Sequence, residues 1–324
     1  MANATLAAPE REAWSRRIRD VGFWADWAAL VGLIALVIIF EALNPTFLSP
    51  GNLQGMLVAA AILIILAVGQ TFVIAAAGID LSVASTMTLG AVCFGAAFSH
   101  RWGLPLSCAA AIVASTAVGL INGTIVARGK ITDFIVTLGT LSAAAGLALI
   151  VSSGKPVTII DPFLLRLSVG GIGILGWSFI IAAVVAVLAH GLLFNTRFGT
   201  HVLATGGSPE AAIAMGISTR RIKTAVYTIS GALAGLGAIL LVARIGAAEP
   251  AANTAFLLNS VAAVVLGGVS LFGGRATIIG PVIGALLLTA LVNGLTLLGV
   301  SQFYQPLAVG IVVVLAALLT RFQK

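Results

Sequence analysis

The run Ala77-Gly78-Ile79-Asp80-Leu81-Ser82 sets a carboxyl group between two apolar stretches. A charged side chain near mid-bilayer costs roughly 2.5–3.5 kcal/mol on insertion scales, so an acid in such a place is a functional candidate. Two uses fit the chemistry. After a glycine break, Asp80 can start the next helix by accepting from its first amides. Alternatively, the broken helix lines a pathway and offers hydrogen bonds to a polar solute. Gln70, Ser82, Asn122 and Asn293 are further polar groups in greasy runs. They are candidates for the same pathway or for satisfying a neighbouring helix backbone. Asp133, after Thr132, reads as a plain helix start.

Bond-making chemistry finds no constellation. No phosphate-cradling G-x-x-x-x-G-K-[ST] loop is present, since Gly154-Lys155 runs into Pro156 and lacks the upstream glycine. His100, His190 and His201 lie far apart without ligand spacing, and no H-E-x-x-H occurs. No metal or cofactor is expected. Gly268-Val269-Ser270-Leu271 lacks the closing glycine of a nucleophile elbow. Ser152 to Lys155 spells S-x-x-K, a pattern two fixed residues produce often by chance. Cys93 and Cys108 sit inside apolar stretches and read as packing residues.

The longest polar connection, Asn195 to Lys223, carries a different signal. Ser208 can cap a helix, Pro209 can open it, and Glu210 falls in its first turn, where the helix dipole favours an acid. Gly216 can end it, and Arg220, Arg221 and Lys223 bring the chain back to the headgroups. A short surface helix bracketed by glycines suits docking in a groove on a partner; the plain alternative is a structured loop.

These residues need a membrane scaffold to position them. Of 324 residues, 60% are apolar and 8% charged, against about 25% charged in soluble domains. That excludes an ordinary soluble enzyme, a disordered chain and a usual nucleic-acid binder. A hydrocarbon core of ~30 Å needs about 20 apolar residues per helix. Ten candidate spans follow: 24–41, 54–77, 82–98, 104–127, 133–152, 171–193, 223–242, 255–270, 276–299 and 303–320. Runs 82–98 and 255–270 are short for a crossing. The stretches are continuous rather than alternating, which predicts an all-α polytopic membrane protein and not a barrel. The segment 1–22 reads as a cytoplasmic N-terminus, and 23–324 as one transmembrane domain with a cytoplasmic loop at 195–222. No signal-peptide cleavage site follows the first apolar run. With the N-terminus inside, Arg101, Lys155, Arg166 and Arg244 fall outside, and the other 13 of 17 Lys and Arg fall inside. This is the positive-inside bias, and it puts both termini in the cytoplasm.

Leu120-Ile121-Asn122-Gly123 and Leu291-Val292-Asn293-Gly294 share a pattern 171 residues apart, and Gly139 and Gly310 keep that offset. In the topology above, spans 2–5 then match spans 7–10 in opposite orientation. Such inverted repeats let two half-bundles rock about a central site. Coincidence in a chain of low complexity is the alternative.

Glu210-Ala211-Ala212, three residues and Gly216 resemble the coupling motif of ABC importer permeases. From about residue 45 onward the chain resembles the ribose-type monosaccharide permeases. The resemblance rests on Gly69 to Ile74 with Gly78 to Ser82, on Gly206-Gly207 before Glu210, on Ala262 to Leu271 with Gly273-Gly274, and on Asn293 to Leu295 with Leu297 to Val300. Ala84 stands where the family usually has glycine. The resemblance implies a non-enzymatic permease in a bacterial inner membrane. Two permease chains, alike or different, would form the pore. A cytoplasmic ABC ATPase would grip the helix marked by Gly206, Gly207, Glu210, Ala211, Ala212 and Gly216, and a periplasmic binding protein would deliver a monosaccharide. A same-architecture permease for a nucleoside or branched-chain amino acid is the nearest alternative. A stand-alone carrier is another, although a proton- or sodium-driven one usually needs more buried acids than these spans hold.

Overall fold

The computed structural model describes residues 21–129, 131–251 and 254–320. The polar segment 1–20, Lys130, Arg321 and Lys324 lie outside the described residues. Each predicted span coincides with a helix: α1 (Val21–Leu43), α2 (Pro50–Ala75), α3 (Val83–Ser99), α4 (Leu104–Gly129) and α5 (Asp133–Ser152) in the first half. Three short elements follow, β1 (Val157–Thr158), α6 (Pro162–Val169) and the hairpin β2 (Gly171–Ile172) with β3 (Leu175–Gly176). Then come α7 (Trp177–Phe194), α8 (Arg197–Gly207), α9 (Pro209–Ala214), α10 (Thr219–Ile245), β4 (Ala247–Ala248), α11 (Thr254–Leu266), α12 (Ile279–Leu297) and α13 (Gln305–Thr320). Among the described residues, α2, α4, α5, α7, α10 and α12 are long and apolar enough to cross a membrane. Shorter apolar helices lie in α1, α3, α11 and α13.

Three boundaries differ from the sequence expectation. The sixth run begins at Trp177, because the glycines at 171, 173 and 176 form a hairpin, with Gly173 at φ 62°. The run 255–270 is helical for only 13 residues and stops before Gly267 and Gly268. The polar connection 195–223 is two helices rather than one. Thr196 caps the unexpected α8 by accepting from Gly199 N at 3.3 Å.

A helix that is apolar all round is covered either by protein or by lipid. Helix α2 is covered by protein, its most apolar window 89% buried, against 22% for α5 and α7. It packs on α7, α10, α11 and α12. The tightest crossing joins α4 to α10 through two Gly-x-x-x-Gly pairs, Gly119 with Gly123 and Gly231 with Gly235. A Cβ at Gly231 would meet Gly119 Cα at 3.0 Å, and one at Gly123 would meet Thr224 Cα at 2.7 Å. Lipid offers no hydrophobic drive for helices to associate, so close backbone contact supplies dispersion instead.

The connections sort into two groups at opposite ends. At one end β1 pairs with β4, Asn44 Nδ2 donates to Leu297 O at 3.1 Å, and Gln54 Nε2 donates to Val169 O at 3.2 Å. At the other, Gly206 packs against Ala75 and Gly274, and Thr224 Oγ1 donates to Gly123 O at 3.2 Å. Among the described residues, Arg101, Lys155, Arg166 and Arg244 belong to the first end; Arg128, Arg197, Arg220, Arg221, Lys223 and Arg275 belong to the second.

Overpacking a close-packed crossing costs about 1–3 kcal/mol. Gly231→Leu is therefore expected to lower the melting temperature in detergent well below that of Gly139→Leu, whose Cβ meets nothing within 4 Å. Equal melting of the two variants would contradict this packing.

Candidate functional site

Helix α2 ends at Ala75, Ala77 turns left-handed at φ 52°, and α3 does not begin until Val83. Of the seven residues 76–82 between them, Ala76, Gly78, Asp80 and Ser82 are buried, with Asp80 only 2% exposed, while Ile79 reaches the surface. The Asp80 carboxyl organises this break. Its Oδ1 accepts from Ser82 N at 2.9 Å and Ser82 Oγ at 2.7 Å, and its Oδ2 accepts from Ser230 Oγ on α10 at 2.9 Å. The expected N-cap is thus corrected. Asp80 braces a turn through the amide two residues on, and Ser82 holds the cap position without a side-chain cap bond.

Three more predicted residues converge on the same place. Gln70 Nε2 donates to Asp80 O at 2.5 Å, leaving Gln70 Oε1 without a partner among the described residues. Asn122 Nδ2 donates to Ser82 Oγ at 2.8 Å, and its Oδ1 accepts from Thr140 Oγ1 at 2.6 Å. One polar chain therefore ties the break to α2, α4, α5 and α10. Low local dielectric strengthens such a network and makes any unmet group costly.

A second clamp holds the turn from the far side. Asp133 is more than a helix start: its Oδ2 accepts from Tyr227 OH at 3.0 Å and pairs with Lys223 Nζ at 3.4 Å. Tyr227 OH also lies 3.1 Å from Ile79 O, and Thr137 Oγ1 lies 3.2 Å from it. A Cβ on Gly78 would come within 2.9 Å of both Asp133 Oδ2 and Tyr227 OH, so only glycine lets this clamp close. Tyr227 and Ser230 were not singled out from the sequence, and Lys223 was read only as a headgroup anchor. Their i, i+4, i+7 spacing puts all three on one face of α10, and that was the available signal.

Asn293 does not join the break. It forms a reciprocal amide pair with Asn52 at the opposite end, 2.9 Å in each direction. The pair lines a cavity of about 370 Å³ with Arg244, Thr289 and Thr296. A larger cavity of about 740 Å³, mostly apolar, lies among α11, α12 and α13 and reaches Leu81 beside the break.

The predicted docking helix is α9. Ser208 Oγ accepts from Ala211 N at 3.2 Å, and Pro209 opens the helix. It closes by a Schellman arrangement: Gly216 N donates to Ile213 O and Ile217 N to Ala212 O, both at 2.9 Å, with Gly216 at φ 81°. Glu210, Ala211, Ile213 and Met215 are exposed, while Ala212 is buried. Gly206 is not on the exposed face. It lies in the last turn of α8, and its missing Cβ makes room for Ala75 O and Gly274 N. Gly274 N in turn donates to Ala75 O at 3.1 Å. Gly207, the next residue, is exposed.

Residues 52–318 match the family described as branched-chain amino acid transport system, permease component. The ribose import permease protein RbsC of Bacillus subtilis is 37% identical over 314 residues, covering 94% of this chain and 96% of that protein. The L-arabinose ABC transporter permease protein AraH of Azospirillum brasilense is 36% identical, covering 90% and 87%. The autoinducer 2 import system permease protein LsrC of Salmonella typhi is 33% identical, covering 88% and 82%. No solved structure matches the chain.

Asp80→Ala deletes the acceptor of three donors. At about 1 kcal/mol per hydrogen bond, losing three and leaving their buried donors unmet should lower the melting temperature in detergent sharply. Asn293→Ala, which breaks the two hydrogen bonds of one neutral, part-buried amide pair, each worth about 1 kcal/mol, should lower it less. The reverse order in a thermal-shift series would contradict the network.

Proposed function

The chain belongs to the branched-chain amino acid transport system permease family, and on that premise we propose that it forms the translocation pathway of an ABC importer for a ribose-like monosaccharide. A periplasmic binding protein delivers the sugar, and a separate ATPase drives the cycle. The names of the ribose and arabinose permeases support the solute class. The observation that carries the reading is α9. It is a six-residue helix, capped at one end and closed by a left-handed glycine at the other, that holds Glu210, Ile213 and Met215 in the open. Apolar side chains in that position serve to fill a groove on another protein. Glu210, Ala211 and Gly216 make or shape that contact, with Gly207 exposed beside them. Gly206 and Ala212, both buried, fasten it to the permease.

The finer topology belongs to the same proposal. Ten apolar helices cross the membrane, both termini are cytoplasmic, and the end carrying α8 and α9 faces the cell interior. The excess of cations at that end supports this orientation. An inverted repeat of α2–α5 and α10–α13 is supported by exchanged packing partners. Helix α3 lies on α4, α5 and α10, as α11 lies on α12, α13 and α2. Two copies, or this chain and a related one, complete the pore.

Gln70, Asp80, Ser82 and Asn122 act in transport by holding the break through which the pathway opens and closes. Asn293, with Asn52 and Arg244, lines the outer cavity that first receives a hydroxyl-rich solute. A second reading, import of a different small solute on the same architecture, is favoured by the autoinducer 2 relative.

A β-branched residue at a left-handed position costs on the order of 1–2 kcal/mol. Gly216→Val should therefore distort α9. In proteoliposomes holding permease, ATPase and loaded receptor, pentose uptake is expected to fall about tenfold or more per ATP hydrolysed. Glu210→Ala should shift the same ratio in the same direction. Unchanged uptake per ATP in both variants would contradict the role given to α9, and pentose uptake without any ATPase would contradict the whole reading.

A further inference from the structure

The segment between α11 and α12 carries a motif that the docking helix leaves unexplained. Residues Ser270 to Arg275 form a turn closed on itself. Ser270 N donates to Arg275 O at 3.1 Å, Gly273 N to Ser270 O at 3.0 Å, and Phe272 N to Ser270 Oγ at 3.3 Å. Gly273 and Gly274 are both left-handed, at φ 81° and 76°. The glycine side of this turn faces inward. Gly274 donates to Ala75 O, and Cβ atoms at Gly273 and Gly274 would strike Ala77 and Gly207 respectively. The other side presents Phe272, which is 88% exposed, with Leu271 and Arg275 also exposed beside it.

A rigid turn that packs its half-buried glycines inward and extends a phenylalanine is a costly arrangement unless something covers the ring. Aromatic and arginine side chains are the residues enriched in the buried centres of protein interfaces. The turn touches the end of α8, one residue before the cap of α9, so Phe272 stands at the same end of the molecule as Ile213 and Met215. We infer that the Ser270–Arg275 turn is a second contact for the ATPase subunit, with Phe272 as its anchor. The inference rests on the proposed function, which supplies the ATPase. It adds a route by which the ATPase reaches the break. The Phe272 turn is hydrogen-bonded directly to the last residue of α2, one residue before the break begins, whereas α9 reaches that residue only through Gly206.

The test uses the complete complex in native membranes. Phe272 and Ile213 are each replaced, in separate strains, by the photoreactive residue p-benzoylphenylalanine. Irradiation is followed by mass analysis of the adducts. Permease–ATPase adducts from both positions are expected. An ATPase adduct from position 213 with only lipid or no adduct from position 272 would overturn this inference and leave the functional reading intact. No ATPase adduct from either position would overturn both. In parallel, Phe272→Ala should weaken ATPase retention on the purified permease about tenfold, the usual effect of losing an interface anchor, with unchanged melting of the permease alone. Full ATPase retention by Phe272→Ala would also overturn the anchor.

Discussion

A backbone that stops being helical inside a helical bundle must still find a partner for each buried amide and carbonyl, because apolar surroundings supply none. Residues 76–82 place this demand at the end of α2, the most buried of the membrane-length helices among the described residues. The fold answers with side chains from α2, α5 and α10 and from the break itself. Gln70 takes the carbonyl of Asp80, while Tyr227 and Thr137 approach that of Ile79. Asp80 takes the amide and hydroxyl of Ser82. Gln70, Asp80, Thr137 and Tyr227 all serve this one obligation.

The same requirement explains why α10 is central. Its face carries Lys223, Tyr227 and Ser230 toward the break, and its glycines let it lie backbone to backbone on α4. A helix fixed so closely on one side and bonded to the break on another moves only as part of a larger body. At the end of α2, Gly206 and Gly274 form the other attachment. The break is therefore held between a rigid core and the surface proposed to dock the ATPase. Small displacements of packed elements carry across such contacts because close-packed interiors are stiff.

Much of this was readable in the residues. Continuous apolar runs predicted every long helix, and glycines and prolines marked the ends. Ser208, Pro209 and Gly216 predicted the limits of α9. Gln70, Asp80, Ser82 and Asn122 were chosen only as polar groups in apolar spans, and they meet in one network. Asn293 was chosen by the same rule and lies at the opposite end, since polarity shows that a partner is needed but not where it is. Helix α8 was missed because its polar face looks like loop, although Gly199, Val202, Thr205 and Gly206 lie buried at helical spacing. Gly206 and Gly207 read alike in the sequence. Only the approach of Ala75 and Gly274 separates an inward glycine from an outward one.

That pair gives the most direct test of the central claim, that movement at the surface reaches the break through a backbone contact only glycine permits. Gly206→Val and Gly207→Val can each be reconstituted with ATPase and receptor, and the ratio of solute taken up to ATP hydrolysed measured for both. The account predicts that Gly206→Val still binds the ATPase and hydrolyses ATP but takes up little solute per ATP, while Gly207→Val keeps a ratio near that of the unaltered protein. A normal ratio in Gly206→Val would contradict it.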